Sequence, residues 1–275
     1  MKRILRRHVP RPVRERLRRI CYFPLDTVDQ LLGRRDRLTP PRGLMFVGRG
    51  DFKETGEDYL HTFVALGGLQ PHHRVLDVGC GVGQMAVPLT GFLTAEGSYE
   101  GFDVVPAGIR WCRKNITARF PNFQFHTVDN YNKEYNPKGN RPTGGYRFPY
   151  ENETFDFVFL TSVFTHMLPA DVRNYLTEIR RVLKRGSRCL ITFFLLGDTA
   201  GNGLPAGRTH FRHRRDGYWT IDSRTPERGI AYEESTVRAT YESCGLRVVD
   251  PVRYGVWREQ GNLQRSQDII VATRT

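Results

Sequence analysis

The chain has 275 residues, with 42 Lys and Arg against 29 Asp and Glu, a formal charge of +13. That length suits one enlarged domain and buries a core without disulfides or structural metal. The five cysteines are scattered and never form a C-x-x-C pair, which argues against a disulfide framework or a thiolate zinc site and fits a reducing compartment, the cytosol. No apolar run approaches the ~20 residues of a membrane-spanning helix, and the first residues lack the apolar stretch and small-residue cleavage site of a secretory signal.

The charge is concentrated at the start. Residues 1–42 hold thirteen Lys and Arg against four carboxylates, which leaves only +4 for the rest of the chain. Within this arm Val13, Leu17, Ile20 and Phe23 recur at helical spacing while arginines fill the other faces. The pattern predicts a basic amphipathic helix. Such a helix either packs on the domain or lies on an anionic membrane, which would make the protein cytoplasmic and peripheral to the inner face of that membrane. No interleaved aromatics or binding motif accompany the charge, so nucleic acid is disfavoured as a partner. Pro40-Pro41 and Gly43 close the arm, and residues 43–275 are expected to form the main domain.

Helical periodicity runs from Lys53 to Leu66, and strand and helix then alternate. Strands are predicted at Arg74–Val78, Ser98–Asp103, Asn122–Val128, Phe155–Leu160, Arg188–Phe194, Arg247–Pro251 and Asp268–Ala272. Helices are predicted at Gln84–Phe92, Pro106–Ala118, Ala170–Leu183 and Glu233–Cys244. Such alternation implies an α/β fold with a mostly parallel sheet and helices on both faces. The last two strands have no helix between them and are expected as an antiparallel hairpin at an edge. Residues 130–150 and 197–232, rich in Gly, Pro, Asn and Arg, interrupt the alternation, and insertions this long are often functional.

The segment Arg74-Val-Leu-Asp77-Val-Gly79-Cys80-Gly81-Val-Gly83 carries the chemistry. An apolar strand runs into Asp77, and three alternating glycines precede a helix. Glycine admits the backbone angles of a tight turn and lets a ligand approach the main chain, while the helix N-terminus offers unpaired N–H groups. A dinucleotide-binding loop would read G-x-G-x-x-G/A. Here Gln84 stands at the third glycine position and Asp77 lies outside that pattern.

With this D-x-G-C-G-x-G loop the sequence resembles the class I S-adenosylmethionine-dependent methyltransferases of the small-molecule branch, over about residues 72–195. The resemblance implies a Rossmann-like, doubly wound sheet of seven strands, mostly parallel with an antiparallel C-terminal hairpin, and S-adenosylmethionine as cofactor. It places Asp77, Gly79, Cys80, Gly81 and Gly83 against the methionine part of that cofactor. Asp103, at the end of the second strand, would take the two ribose hydroxyls, with Val104 beside it. Asp129 and its neighbour Asn130 would lie near the adenine amino group, and Thr161, Phe164 and His166 near the transferring methyl. Lys184-Arg185-Gly186-Ser187 replaces the family's frequent Lys-Pro-Gly-Gly, at a turn far from the site.

His166 is the candidate general base, because it follows the methyl-side strand and titrates near neutrality. The family's Asn/Asp-Pro-Pro-Tyr/Phe run, which serves nitrogen acceptors, is replaced by Thr161-Ser162-Val163-Phe164. An oxygen on a small-molecule, sugar or lipid-linked acceptor is therefore expected. The two insertions would form a substrate lid bearing Tyr146, Tyr218 and Trp219. His210 and His213 sit three apart but no third ligand is evident, so no metal is expected. Three alternatives stay open: a cofactor-binding protein without turnover, an RNA methyltransferase and an NAD-dependent dehydrogenase. The oligomeric state is not legible.

Overall fold

Only a strand covered by helices on both faces can bury nearly every side chain, and the runs Arg74–Val78 and Phe155–Leu160 do so at the centre of the sheet. The structure is a computed structural model, and it describes residues 11–45, 51–197, 211–258 and 267–275. In chain order the strands are β1 (Arg74–Val78), β2 (Ser98–Asp103), β3 (Phe123–Thr127), β4 (Phe155–Leu160), β5 (Leu183–Phe193) and β6 (Leu195–Leu196). β7 (His213–Arg215), β8 (Tyr218–Thr220), β9 (Ile230–Glu233), β10 (Leu246–Arg253) and β11 (Asp268–Arg274) follow. The main sheet has seven strands in the order β10-β11-β5-β4-β1-β2-β3, parallel from β5 to β3.

The helices are α1 (Arg11–Leu31), α2 (Phe52–Ala65), α3 (Ala86–Phe92), α4 (Pro106–Cys112), α5 (Pro169–Val182) and α6 (Glu234–Ser243). Phe63, Ala86, Leu89, Ile109 and Cys112 carry α2, α3 and α4 onto one face of the sheet. Leu176, Ile179, Val237 and Tyr241 carry α5 and α6 onto the other. Each core is thus built from one set of alternating strand side chains and one apolar helix stripe. α2 starts at Asp51, whose carboxylate accepts from the Lys53 and Glu54 amides at 2.9 and 3.0 Å, satisfying donors that a helix leaves open.

Three predicted elements differ in detail. β5 begins at Leu183 rather than Arg188, because Leu183 pairs with Phe155 before a register shift brings Arg188 opposite Phe157. Gly186, at φ +77°, supplies the left-handed residue this bulge needs. The helix predicted over Pro106–Ala118 widens into a π-helical turn at Arg113–Thr117, where Ile116 is fully buried. The C-terminal hairpin does reach the edge, but only β10 occupies it: β11 lies inside, antiparallel to both β10 and β5.

A second sheet, β6-β9-β8-β7, grows from the carboxyl end of β5. Asp268 joins the two sheets. Its buried carboxylate accepts from the Leu195 amide at 2.7 Å, the Trp257 indole N–H at 2.9 Å and the Gly255 amide at 2.8 Å. Replacing it strands two buried donors and one that is partly buried. Asp268→Ala is expected to lower unfolding free energy by about 3 kcal/mol, read from urea denaturation, with Asp268→Asn losing less.

Candidate functional site

Strand β1 carries Asp77 into the interior, where it is 1% exposed. The Tyr99 hydroxyl donates to its Oδ2 at 2.6 Å, while Oδ1 is buried without a partner. Burial pushes the Asp77 carboxyl up to about 8; the Tyr99 hydrogen bond opposes that and the nearby Asp103 charge adds to it. A buried acceptor of this kind suits a cationic or N–H-bearing ligand.

Beyond Asp77 the chain turns through Gly79, Gly81 and Gly83 at φ +86°, +57° and +75°. The turn is latched to the end of β2. Gly79 N and Cys80 N donate to the Phe102 carbonyl at 2.8 and 3.1 Å, and Gly81 N donates to Asp103 Oδ2 at 2.9 Å. Besides needing left-handed angles, the glycines differ in what a side chain would meet. At Gly79 it would collide with Val163, and at Gly83 it would lie 2.8 Å from Ile116 Cδ1. At Gly81 nothing lies within 4 Å, because that position faces the open cleft.

The cleft lies at the carboxyl ends of the parallel strands, the usual place for a ligand in an open α/β sheet. Asp77, Gly79, Cys80, Gly81, Asp103 and Val104 form one wall. Asp103 Oδ1 accepts from Val105 N at 2.7 Å, and a carboxylate that accepts one N–H on each oxygen keeps lone pairs for ligand hydroxyls. The opposite wall holds Asn130, which donates from Nδ2 to the Tyr175 hydroxyl at 3.0 Å. Its Oδ1, like that of Asp77, is buried with no partner. These groups fit S-adenosylmethionine: a carboxylate oxygen for an ammonium, a carboxylate for ribose hydroxyls, an amide oxygen for an amino donor, and a gap over Gly81.

Asp129 does not line the cleft. Its exposed carboxylate accepts from the Asn140 side chain and amide and from Asn136 Nδ2, which hold the loop closed and keep its pKa below the ordinary value. Past the end of β3 the chain leaves the strand's alternation, so that Asp129 is exposed and Asn130 is buried. Phe164 is also displaced from its expected place, being fully buried against Tyr175 and Phe193. Thr161 and His166 do border the cleft. His166 Nδ1 lies 2.7 Å from the Glu227 carbonyl, which can only accept, so Nδ1 carries the proton and a neutral ring keeps its lone pair on Nε2.

Tyr146, Tyr218 and Trp219 are not among the lining residues. Tyr146 is buried against Phe102 and Phe148, Tyr218 packs on the main core, and Trp219 packs with Phe194 and Phe211. His213 lies in β7, and His210 lies outside the described residues. The insertion contributes Tyr131, Asn132 and Tyr135 instead. Asn132 Oδ1 accepts from the Glu134 and Tyr135 amides, and its Nδ2 donates to the His166 carbonyl at 3.0 Å. The turn-forming Asn two residues after Asn130 was the available signal for this wall. Ser162 also borders the cleft, in a left-handed conformation at φ 58° secured by its N–H to Thr192 Oγ1 at 2.8 Å. Serine seldom adopts that angle, and such strain concentrates at ligand sites.

The raised Asp77 pKa sets a pH dependence. Between its ordinary 3.8 and about 8 the folded state binds a proton that the unfolded state does not, so stability falls as pH rises through this window. In the ligand-free protein, urea midpoints are expected to decline from pH 5 to pH 8 more steeply than those of Asp77→Asn. Parallel profiles would contradict the assignment.

The family model for the methyltransferase domain matches residues 76–191. The phthiotriol/phenolphthiotriol dimycocerosates methyltransferase of Mycobacterium leprae (strain TN) is 34% identical over 113 residues, 41% of this chain and 34% of its own. The chain therefore spans about a third of the length of that curated relative. Among solved structures, a protein of Pyrococcus horikoshii OT3 superposes with a TM-score of 0.56 at 14% identity, over 84% of this chain and 95% of its own. The 1,6-didemethyltoxoflavin-N1-methyltransferase of Burkholderia thailandensis, solved with S-adenosylhomocysteine, gives 0.50 at 15% identity, over 82% and 79%. The cyclase SpnF gives 0.55 at 14% identity, over 84% of each chain. At such identities the superpositions speak for the fold, and a cyclase among them means that the fold alone names no reaction. The matched segment is more specific, since residues 76–191 contain the glycine loop and run from β1 into β5, and over that segment the chain is similar to a methyltransferase domain.

Proposed function

We propose that the protein transfers a methyl group from S-adenosylmethionine to an oxygen of a small-molecule, sugar or lipid-linked acceptor. The observation that carries this reading is the pair of partnerless buried oxygens, Asp77 Oδ1 and Asn130 Oδ1, bordering a cleft whose floor is the Gly81 gap. The cofactor, when bound, supplies a methyl group on a positively charged sulfur, already activated toward a nucleophile. What remains for the protein is to hold the acceptor in line and to exclude water, an effect worth up to roughly 10⁵–10⁸ M in effective concentration.

In this reading Asp77 receives the ammonium end, Asp103 the ribose hydroxyls and Asn130 the adenine amino group. Thr161 and Ser162, at the end of β4, border the acceptor. His166 is the general base: the Glu227 carbonyl orients its ring and accepts from Nδ1, which makes Nε2 the basic nitrogen of the neutral ring. An oxygen acceptor is supported by that geometry and by the absence of the Pro-Pro run after β4. A lipid-linked acceptor is supported by the relative whose name gives dimycocerosates as its acceptor, and by the basic arm as a peripheral contact with an anionic membrane. Residues 130–150 and 197–232 serve as the substrate lid, a role supported by Tyr131, Asn132 and Tyr135 in the cleft wall and by Glu227 behind His166.

Calorimetric titration with S-adenosylhomocysteine, with NAD in parallel, tests the cofactor half. Micromolar binding of the former is expected, weakened about 30-fold or more in Asp103→Ala by loss of two charge-assisted hydrogen bonds. Binding of NAD alone would overturn the reading. With an acceptor in hand, His166→Gln is expected to lower kcat by about 100-fold while S-adenosylhomocysteine affinity stays unchanged; an unaltered kcat would remove His166 from the chemistry.

A further inference from the structure

Helix α1 is docked the wrong way round for a soluble domain. At 100° per residue Val13, Leu17, Ile20, Val28 and Leu31 share one stripe, and all five are exposed, Ile20 to 69% and Leu31 to 80%. Phe23 and Leu25 flank that stripe and are exposed too. The opposite, polar side faces the protein. Asp26 accepts from the Arg42 and Gly43 amides at 2.8 and 3.1 Å, Asp29 pairs with Arg42 at 2.7 Å, and Arg18 Nε donates to the Arg42 carbonyl at 3.2 Å. An amphipathic helix in a monomeric domain buries its apolar side, and a contiguous exposed stripe of this length marks an interaction surface.

Charge decides what covers it. The arm's described carboxylates are engaged locally: Asp26 with Arg35, Asp29 with Arg42 and Asp36 with Lys53. Arg16, Arg34 and Arg37 are exposed around the stripe, and Lys2, Arg3, Arg6 and Arg7 precede it in sequence. A second copy of the chain would bring the same excess of positive charge against itself. An anionic bilayer offers both an apolar host for the stripe and counter-charge for the arginines.

The arm also touches the cleft rim. Arg14 pairs with Glu134 at 3.0 Å, and Glu134 pairs with Arg228 at 3.3 Å. Glu134 lies between the lining residues Asn132 and Tyr135, and Arg228 follows Glu227, whose carbonyl holds His166. Met45, just beyond the arm, lines the cleft as well.

We propose that α1 is an interfacial anchor, lying by its outward apolar stripe in the surface of an anionic bilayer, and that the Arg14–Glu134–Arg228 cluster holds the cleft mouth against that surface, so that a lipid acceptor enters from the membrane. The acceptor clause rests on the methyl-transfer reading above; the anchor does not.

The test uses the full chain in flotation with vesicles of phosphatidylcholine, alone or with phosphatidylglycerol. Binding is expected only to the anionic vesicles, falling with salt, and at least about tenfold weaker in the double variant Leu17→Glu/Ile20→Glu. Both positions are exposed, so circular dichroism and S-adenosylhomocysteine titration should match wild type. Anionic vesicles should also slow amide exchange at residues 131–136, an effect that Glu134→Gln abolishes while leaving flotation intact. No flotation of wild type, equal flotation of the double variant, or a wild-type dimer that the double variant dissolves without any vesicle binding would each overturn the anchor. Exchange at 131–136 that ignores vesicles would overturn the coupling to the cleft. Flotation with no S-adenosylhomocysteine binding would uphold the anchor and sink the methyl-transfer reading instead.

Discussion

The amide of Gly81 points at the carboxylate of Asp103, and that 2.9 Å contact ties the end of β1 to the end of β2. Two more amides, those of Gly79 and Cys80, reach the Phe102 carbonyl beside it. A turn that doubles back so tightly needs left-handed angles at three positions, which only glycine adopts without penalty. Once latched, it fixes where Asp103 faces, where the gap over Gly81 opens, and how closely α4 can approach. The pairing of β1 with β2 and β4 then sets the positions of the remaining walls.

Around that latch the site is polar in a selective way. Most polar groups at its walls are already bonded: Asp103 to two amides, Asn132 to a turn and to the His166 carbonyl, Ser162 to Thr192. Asp77 and Asn130 each keep one buried oxygen without a partner. Other buried oxygens among the described residues, such as Thr165 Oγ1 and the Tyr241 hydroxyl, also lack a partner, but Asp77 and Asn130 are the two that line the cleft, where a ligand's donors can reach them. The raised pKa of Asp77 expresses the same imbalance, since burial withholds from the carboxylate the solvation that a cationic ligand would replace.

Two further pieces are tied to this centre by carboxylates as well as by apolar packing. Asp268 holds the Leu195 amide of the second sheet together with the Gly255 amide and Trp257 indole that follow β10, and Glu134 bridges the N-terminal arm to the turn behind His166. The first is deeply buried and structural. The second lies at the rim, with its arginine side chains about a quarter exposed. The outward apolar stripe of α1 follows from the same arrangement, because the polar side of that helix is taken up by Asp26, Asp29 and their partners.

The alternation of apolar runs, the spacing of the glycines and the acidic residue one strand later determined the sheet, its parallel core and the glycine-loop wall of the cleft, because each depends on local chemistry read along a single segment. β1, β2 and β4 lie at the residues expected of them. Contacts between distant segments were another matter. The side of a strand end that faces a cleft depends on its neighbours, so Asn130 rather than Asp129 borders the site, and Phe164 is taken into the core by Tyr175 and Phe193. The aromatic residues of the insertions divided in the same way, with Tyr131 and Tyr135 at the cleft and Tyr146 in the core. The amphipathic pattern of the arm was legible, but a periodic pattern states only that two faces differ. Which of them turns outward was decided by the hydrogen bonds that Asp26 and Arg18 make with residues more than a dozen positions away.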